Sequence, residues 1–262
     1  MEFKHINFSV SNSAAIIKLN RPELLNSINM EMGKNIQDAL DTCANDNAIR
    51  VIIITGEGKA FCAGQDLTEA VPKDQPLADL GNILEECYNP IIKKIYELEK
   101  PVVAAVNGVA AGAGANIALS CDIVVASEKA SFVQAFSKIG LIPDSGGTYI
   151  LPRLIGLQKA ASIMMLGDKI SAEEAERLGM IYKFYKEEEF ENNVNALAYK
   201  LASMPTRGLA LTKKALQQSM TKDLYSQLLI EKELQIAAGN TDDYKEGVRA
   251  FLEKRPPIFK GS

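Results

Sequence analysis

The sequence predicts an α/β fold that gives way to helices toward its C-terminal end, and three observations predict it. Short β-branched runs alternate with helix-period patterns through the first half, strand signals fade after residue 145, and no linker or low-complexity stretch separates the parts. Ala14-Ala15-Ile16-Ile17-Lys18-Leu19 reads as a strand, residues 30–44 as a helix, and Val51-Ile52-Ile53-Ile54-Thr55 as the next strand. The theme repeats with a helix over 83–98, a strand over 102–106, a small-residue helix over 112–121 and a strand over 123–126. A short strand over 131–133 leads into another helix-forming stretch. Ser171 with Glu174 makes a capping box, and Gly179 ends the helix that it starts. Thr206 and Thr221 precede further helical patterns, residues 244–254 form the last, and Pro256-Pro257 stops it.

Composition narrows the chemistry. A chain of 262 residues, 47% apolar and 24% charged, lies near the upper size for one core and is ordinary for a globular protein. No apolar run reaches the roughly 18 residues that cross a bilayer, and the opening MEFKHINFSV lacks the apolar stretch of a signal peptide, so a cytoplasmic protein with no membrane partner is expected. A net charge of -4 offers no positive field to nucleic acid. Cys43, Cys62, Cys87 and Cys121 are irregularly spaced, with no C-x-x-C, and read as reduced thiols. The single histidine, His5, lies in the N-terminal segment, which removes Ser-His-Asp and Cys-His catalysis and most zinc sites. Carboxylates, hydroxyls and backbone amides are left to act.

Three glycine-bearing segments could place such groups. None is a phosphate loop: Ile117 stands at the third glycine of a G-x-G-x-x-G, Ile53 and Ala60 break a P-loop around Gly58-Lys59, and Pro143 occupies the first glycine of a G-x-S-x-G elbow. Phe61 to Leu67, after a strand, and Asn107 to Ala115, where a strand meets a helix, both expose bare backbone. Their amides either serve tight packing or converge on one carbonyl oxygen as an oxyanion hole. Asp144, between Pro143 and a helix start, is either an N-cap or a base whose pKa is raised by Phe136, Ile139, Leu141 and Ile142.

Taken together, LNRPELLNS, ITGEGKAFCAGQDL, KPVVAAVNGVAAGAGANIALSCDIVVAS, IGLIPDSGGTYILPRLIG, ISAEEAERLGMI and YKEGVRAFLEKRPPIF resemble the crotonase (enoyl-CoA hydratase/isomerase) family over nearly the whole chain. The resemblance implies a spiral of β-β-α turns over residues 1–200 and a helical trimerisation region over 201–262, with trimers or stacked hexamers. It implies an acyl-CoA thioester as substrate and no separate cofactor or metal. By position, it implies that the amides of Ala63 and Ala113 form the oxyanion hole, and that Leu24, Leu25, Ala63, Gln65, Asp66 and Leu67 line the coenzyme A path. Phe251 and Lys254 would reach the coenzyme from a neighbouring subunit, the lysine at its phosphates.

Departures from the family pattern sharpen this. Hydratases of the family use two glutamates, and those positions here hold Asn116 and Phe136, neither of which moves a proton at neutral pH. Asp144 stands where those hydratases have glycine, as in isomerase branches. Residues 107–115, 135–138, 140–144 and 146–148 are similar to the branch that isomerises ring-epoxide phenylacetyl thioesters to oxepins in phenylacetate catabolism. The alternatives are a Δ3,Δ2-enoyl-CoA isomerase or a hydratase of fatty-acid breakdown, and a non-catalytic acyl-CoA-binding scaffold.

Overall fold

The computed structural model describes residues 3–70 and 78–262, and its strands divide between two sheets. β1 (Ile6–Ser11) and β2 (Ala14–Leu19) form an antiparallel hairpin whose two turn residues, Asn12 and Ser13, both have positive φ, the twist that a tight hairpin needs. α1 (Met30–Asn45) starts where the Asn29 side chain accepts from Met32 N, and it buries Met32, Ile36, Leu40 and Cys43 at helical spacing. β3 (Val51–Gly56) returns parallel to β2, and β4 (Ala60–Cys62) leaves for the second sheet.

After the short α2 (Leu67–Ala70), α3 (Leu80–Ile83) runs through a wide π-helical turn, Leu84–Tyr88, into α4 (Asn89–Glu97). β5 (Val102–Val106) rejoins the first sheet, β6 (Val109–Ala111) pairs with β4 in the second, and α5 (Ala113–Leu119) follows. β7 (Ile123–Ser127) and β8 (Ser131–Val133) again split between the sheets, before a 3-10 turn at Ala135–Ile139. From β3 to β8, each turn of chain thus lays one strand in each sheet, which is the β-β-α spiral that the resemblance implies.

Four expectations need correcting. The segment over 107–115 is not a direct strand-to-helix junction, because β6 intervenes. The helix-forming stretch after residue 133 is a single 3-10 turn. Strands also continue beyond residue 145: after α6 (Gly147–Ile155) and α7 (Leu157–Leu166), β9 (Lys169–Ser171) pairs with β8, and after α8 (Ala172–Arg177), β10 (Lys183–Tyr185) pairs with β7. Finally, the boundary at 200/201 cuts α9 (Glu187–Ser203), whose Val194, Ala198, Leu201 and Ala202 pack together on the outer face of the first sheet.

That packing explains the continuous apolar strands. Ile52, Ile54, Val102 and Ala104 face the main core, while Val51, Ile53, Val103 and Ala105 face α9, so both sides of each strand are covered. Each fully buried isoleucine or valine stabilises the fold by about 1.5–3 kcal/mol. The four cysteines are buried and unpaired, and burial pushes the Cys43, Cys62 and Cys87 thiols up to about 12.

α10 (Thr206–Ser219), α11 (Leu224–Gly239) and α12 (Asp242–Leu252) complete the chain. Arg50 fastens the tail by donating to Met204 O, Thr206 Oγ1 and Phe259 O, and the buried Asp243 carboxylate accepts from the Lys260 and Gly261 amides. α11 buries none of its residues within the chain and exposes Leu224, Tyr225, Leu228 and Leu229. Among the described residues, no helix is long and apolar enough to cross a membrane.

Candidate active site

Two backbone segments meet beside a largely apolar cavity that holds Asp144. In the first, Ile28 lies opposite Gln65 in a parallel bridge: Ile28 N donates to Gly64 O at 2.7 Å, and Asp66 N donates to Ile28 O at 2.9 Å. Those bonds use the groups flanking Gln65, so the N–H of Gln65 itself points to the opposite side. Among the described residues, nothing accepts from it. Ala63 differs, because its N–H donates to Leu25 O at 3.0 Å. The assignment of Ala63 as an oxyanion donor is therefore corrected: its amide holds the Leu24-Leu25 turn, and the free amide of this segment belongs to Gln65.

The second segment turns at Gly112, whose φ of 53° and ψ of -127° suit glycine alone. Gly112 N donates to Val133 O, and a side chain added there would meet the Phe136 ring. Ala113 opens α5, so its N–H has no partner inside the helix and none among the described residues. The segments touch at Gly64, which has φ +96°; a Cβ on it would fall 2.9 Å from Ala111 O and 3.5 Å from Ala113 N. The Gly64–Gln65 peptide therefore runs alongside the Ala113 amide only because residue 64 has no side chain.

Asp144 and Gln65 line one cavity of about 370 Å³. Its walls are largely apolar, formed by Leu80, Ile83 and Leu84 around the π-helical turn and by Leu141 and Ile142 before Asp144. Asp144 is the one titratable side chain among the described residues that line it. Burial raises its carboxyl above the ordinary aspartate value, against a smaller opposing effect of the Ser145 hydroxyl, which donates to Oδ1 at 2.8 Å. Asp144 is not the cap of α6, whose N-cap is Gly146 with no side-chain cap bond.

Asn116 and Phe136 do not line this cavity. Asn116 is buried and gives its side-chain amide to the Asp144 carbonyl, and Phe136 packs under Gly112. His5 sits against Glu31 on α1.

The remaining predicted residues fall into two groups. Leu24, Leu25 and Leu67 are exposed beside the Ala63–Asp66 segment. The Asp66 carboxylate, however, is buried and engaged: it accepts from Arg21 at 2.8 Å and from the Thr68 hydroxyl at 2.7 Å. Burial alone would raise it, but the bonds from Thr68 and Arg21 outweigh that and hold it below the ordinary value. Asp66 therefore shapes the loop and has no free carboxylate for a ligand. Phe251 near the end of α12 and Lys254 just beyond it are exposed, and Lys254 forms no ion pair among the described residues, whereas Arg255 is bound to Glu246 and Glu253.

The family model for enoyl-CoA hydratase/isomerase matches residues 9–262. The chain is 47% identical to the 1,2-epoxyphenylacetyl-CoA isomerase of Escherichia coli K12 over 262 residues, covering 100% of this chain and 99% of that one. It is 42% identical to a Rhodobacter capsulatus protein named "Probable enoyl-CoA hydratase", with 100% of both covered. The crystal structure of enoyl-CoA hydratase from Bacillus anthracis superposes with a TM-score of 0.92 at 32% identity, covering 99% of this chain and 100% of that one.

Proposed function

Because the chain belongs to the enoyl-CoA hydratase/isomerase family, we propose that this enzyme is an acyl-CoA isomerase that converts 2-(1,2-epoxy-1,2-dihydrophenyl)acetyl-CoA into its oxepin isomer in phenylacetate catabolism. The observation that carries the isomerase reading is that, among the described residues, Asp144 is the one titratable group lining the cavity, whereas a hydratase of the family employs two glutamates. The similarity to the Escherichia coli isomerase supports the ring-epoxide substrate.

In this reading the thioester oxygen lies between the Gln65 and Ala113 amides, which stabilise the enolate formed when an α-proton leaves. Asp144 takes that proton and returns one elsewhere on the acyl group. Its raised pKa makes it a stronger base than an exposed aspartate, and the apolar walls keep water from competing. No metal or redox group enters this scheme. The cavity volume of about 370 Å³ suits a compact ring, within the range of roughly 300–1,000 Å³ usual for small-molecule sites. The test is a comparison of kcat/KM for the ring-epoxide thioester and a linear 3-enoyl-CoA; a clear preference for the linear chain would transfer the role to fatty-acid breakdown.

The coenzyme is assigned to the exposed Leu24, Leu25 and Leu67 and to the backbone of Ala63 to Asp66, with Phe251 and Lys254 contributed by the adjacent subunit of a cytoplasmic trimer or hexamer. The apolar face of α11 supports such an assembly. Deleting the chain after Ala250 would also remove the tail held by Arg50 and Asp243, so point variants are the cleaner probe. Lys254→Ala should weaken acyl-CoA binding about tenfold, or 1.4 kcal/mol, with the subunit fold intact. Isothermal titration and sedimentation check this: unchanged affinity, or a fully active monomer, would contradict the shared site.

A further inference from the structure

The proposed base and the α5 oxyanion donor are joined through one buried side-chain amide, Asn116, which a second, Gln134, braces. Asn116 Nδ2 donates to the Asp144 carbonyl at 2.8 Å, and Gln134 Nε2 donates to Asn116 Oδ1 at 2.7 Å. A carbonyl only accepts, so the nitrogen of Asn116 must face Asp144, its oxygen must face Gln134, and Gln134 must present its nitrogen. That leaves Gln134 Oε1 buried with no partner among the described residues. Such an atom costs stability, and apolar residues in place of the pair would avoid the cost. Packing alone gives no reason for the arrangement.

Position supplies one. Asn116 lies on α5, three residues after Ala113, so one helical turn carries both the oxyanion amide and the hydrogen bond that grips the Asp144 backbone. The gripped loop is under strain: Ser145 has φ +49° and is followed by Gly146 at +75°. The Asp144 carbonyl is held twice, by Asn116 and by the Gly147 N–H at 2.8 Å. Gly147 itself rests on Asn116, since a Cβ there would fall 2.4 Å from Nδ2. Resting on the reading of Asp144 as the base, we infer that Asn116, oriented by Gln134, is a positioning residue that fixes the Asp144 carboxylate relative to the Ala113 amide.

Asn116→Asp keeps the shape but replaces the donor with an acceptor facing the Asp144 carbonyl. Since misplacement by about 1 Å can cost about 10²-fold, kcat should fall at least about tenfold, while KM and the affinity for a non-reacting acyl-CoA stay within about threefold. On an Asp144→Asn background the same change should cause no further loss, because Asn116 acts through Asp144. Retained kcat, a loss that multiplies with that of Asp144→Asn, or equal losses of kcat and binding would each overturn the positioning role. If Asn116→Asp does not fold, Gln134→Met tests the same claim: it leaves Asn116 free to rotate and should lower kcat about threefold at constant KM, whereas wild-type kcat would overturn the claim. Full activity of Asp144→Asn alone would instead overturn the assignment of the base.

Discussion

Asp144→Asn is expected to lower isomerase turnover by at least about 10²-fold, the usual contribution of a general base, with acyl-CoA affinity nearly unchanged. The same variant should be more stable than wild type at neutral pH. Burial raises the Asp144 pKa in the folded state, so the folded protein binds that proton more tightly than the unfolded chain. Stability contributed by the protonated group is fully present below the unfolded value and is lost as pH rises through the folded value. At pH 7 the charged carboxylate is thus a burden that asparagine removes, and the gain should vanish in acid. Melting temperatures of both proteins from pH 4 to pH 8 check the sign. An Asp144→Asn protein that is inactive but less stable at pH 7 would mean lost structure, and one that isomerises normally would leave the cavity without its base.

Gly64→Ala should have an effect of similar size through the other half of the chemistry. The added methyl would fall 2.9 Å from Ala111 O and 3.5 Å from Ala113 N at a φ of +96°, so the Gly64–Gln65 peptide must move away from α5. Losing one oxyanion donor typically costs about 10²–10³-fold in kcat. A thioester labelled with ¹³C at its carbonyl gives an independent reading, because polarisation between two amides shifts the resonance on binding. Gly64→Ala should abolish that shift as it lowers kcat. A variant with the shift and the rate intact would show that the two amides do not act on the thioester.

How far the sequence was legible varies along the chain. Of the first sheet, β2, β3, β5 and β7 were readable because both faces are covered, which produces runs such as Val51-Ile52-Ile53-Ile54, whereas β1 is largely exposed and shows no such run. β4, β6, β9 and β10 were missed, since three residues display little alternation, although β8, of the same length, was read. β9 and β10 also sit among helices. The family resemblance, not the residue pattern, supplied the spiral.

At the site, the proposed roles of Asp144 and Ala113 rest on positions that the sequence singles out, whereas the amide proposed for the first segment is that of Gln65 and not that of Ala63. The distinction depends on which amide the Leu25 carbonyl accepts from, a contact made across 38 residues of chain. The one available signal was Gly64, a positive-φ residue whose following peptide turns toward α5. Asp66 can offer the proposed coenzyme path its backbone but not its carboxylate, because the Arg21 guanidinium holds it across 45 residues of chain. Asn116 was recognised only as a residue that cannot move protons, and its bond to a main-chain carbonyl leaves no mark in sequence.

The central claim is that one carboxylate and two amides move protons on an acyl thioester without adding water. Incubating the enzyme with 3-enoyl-CoA in heavy water, and following the products by mass spectrometry, tests it most directly. The account predicts a 2-enoyl product carrying solvent deuterium and little or no water-addition product. A 3-hydroxyacyl thioester as the main product, or starting thioester recovered unconverted and unlabelled, would contradict it.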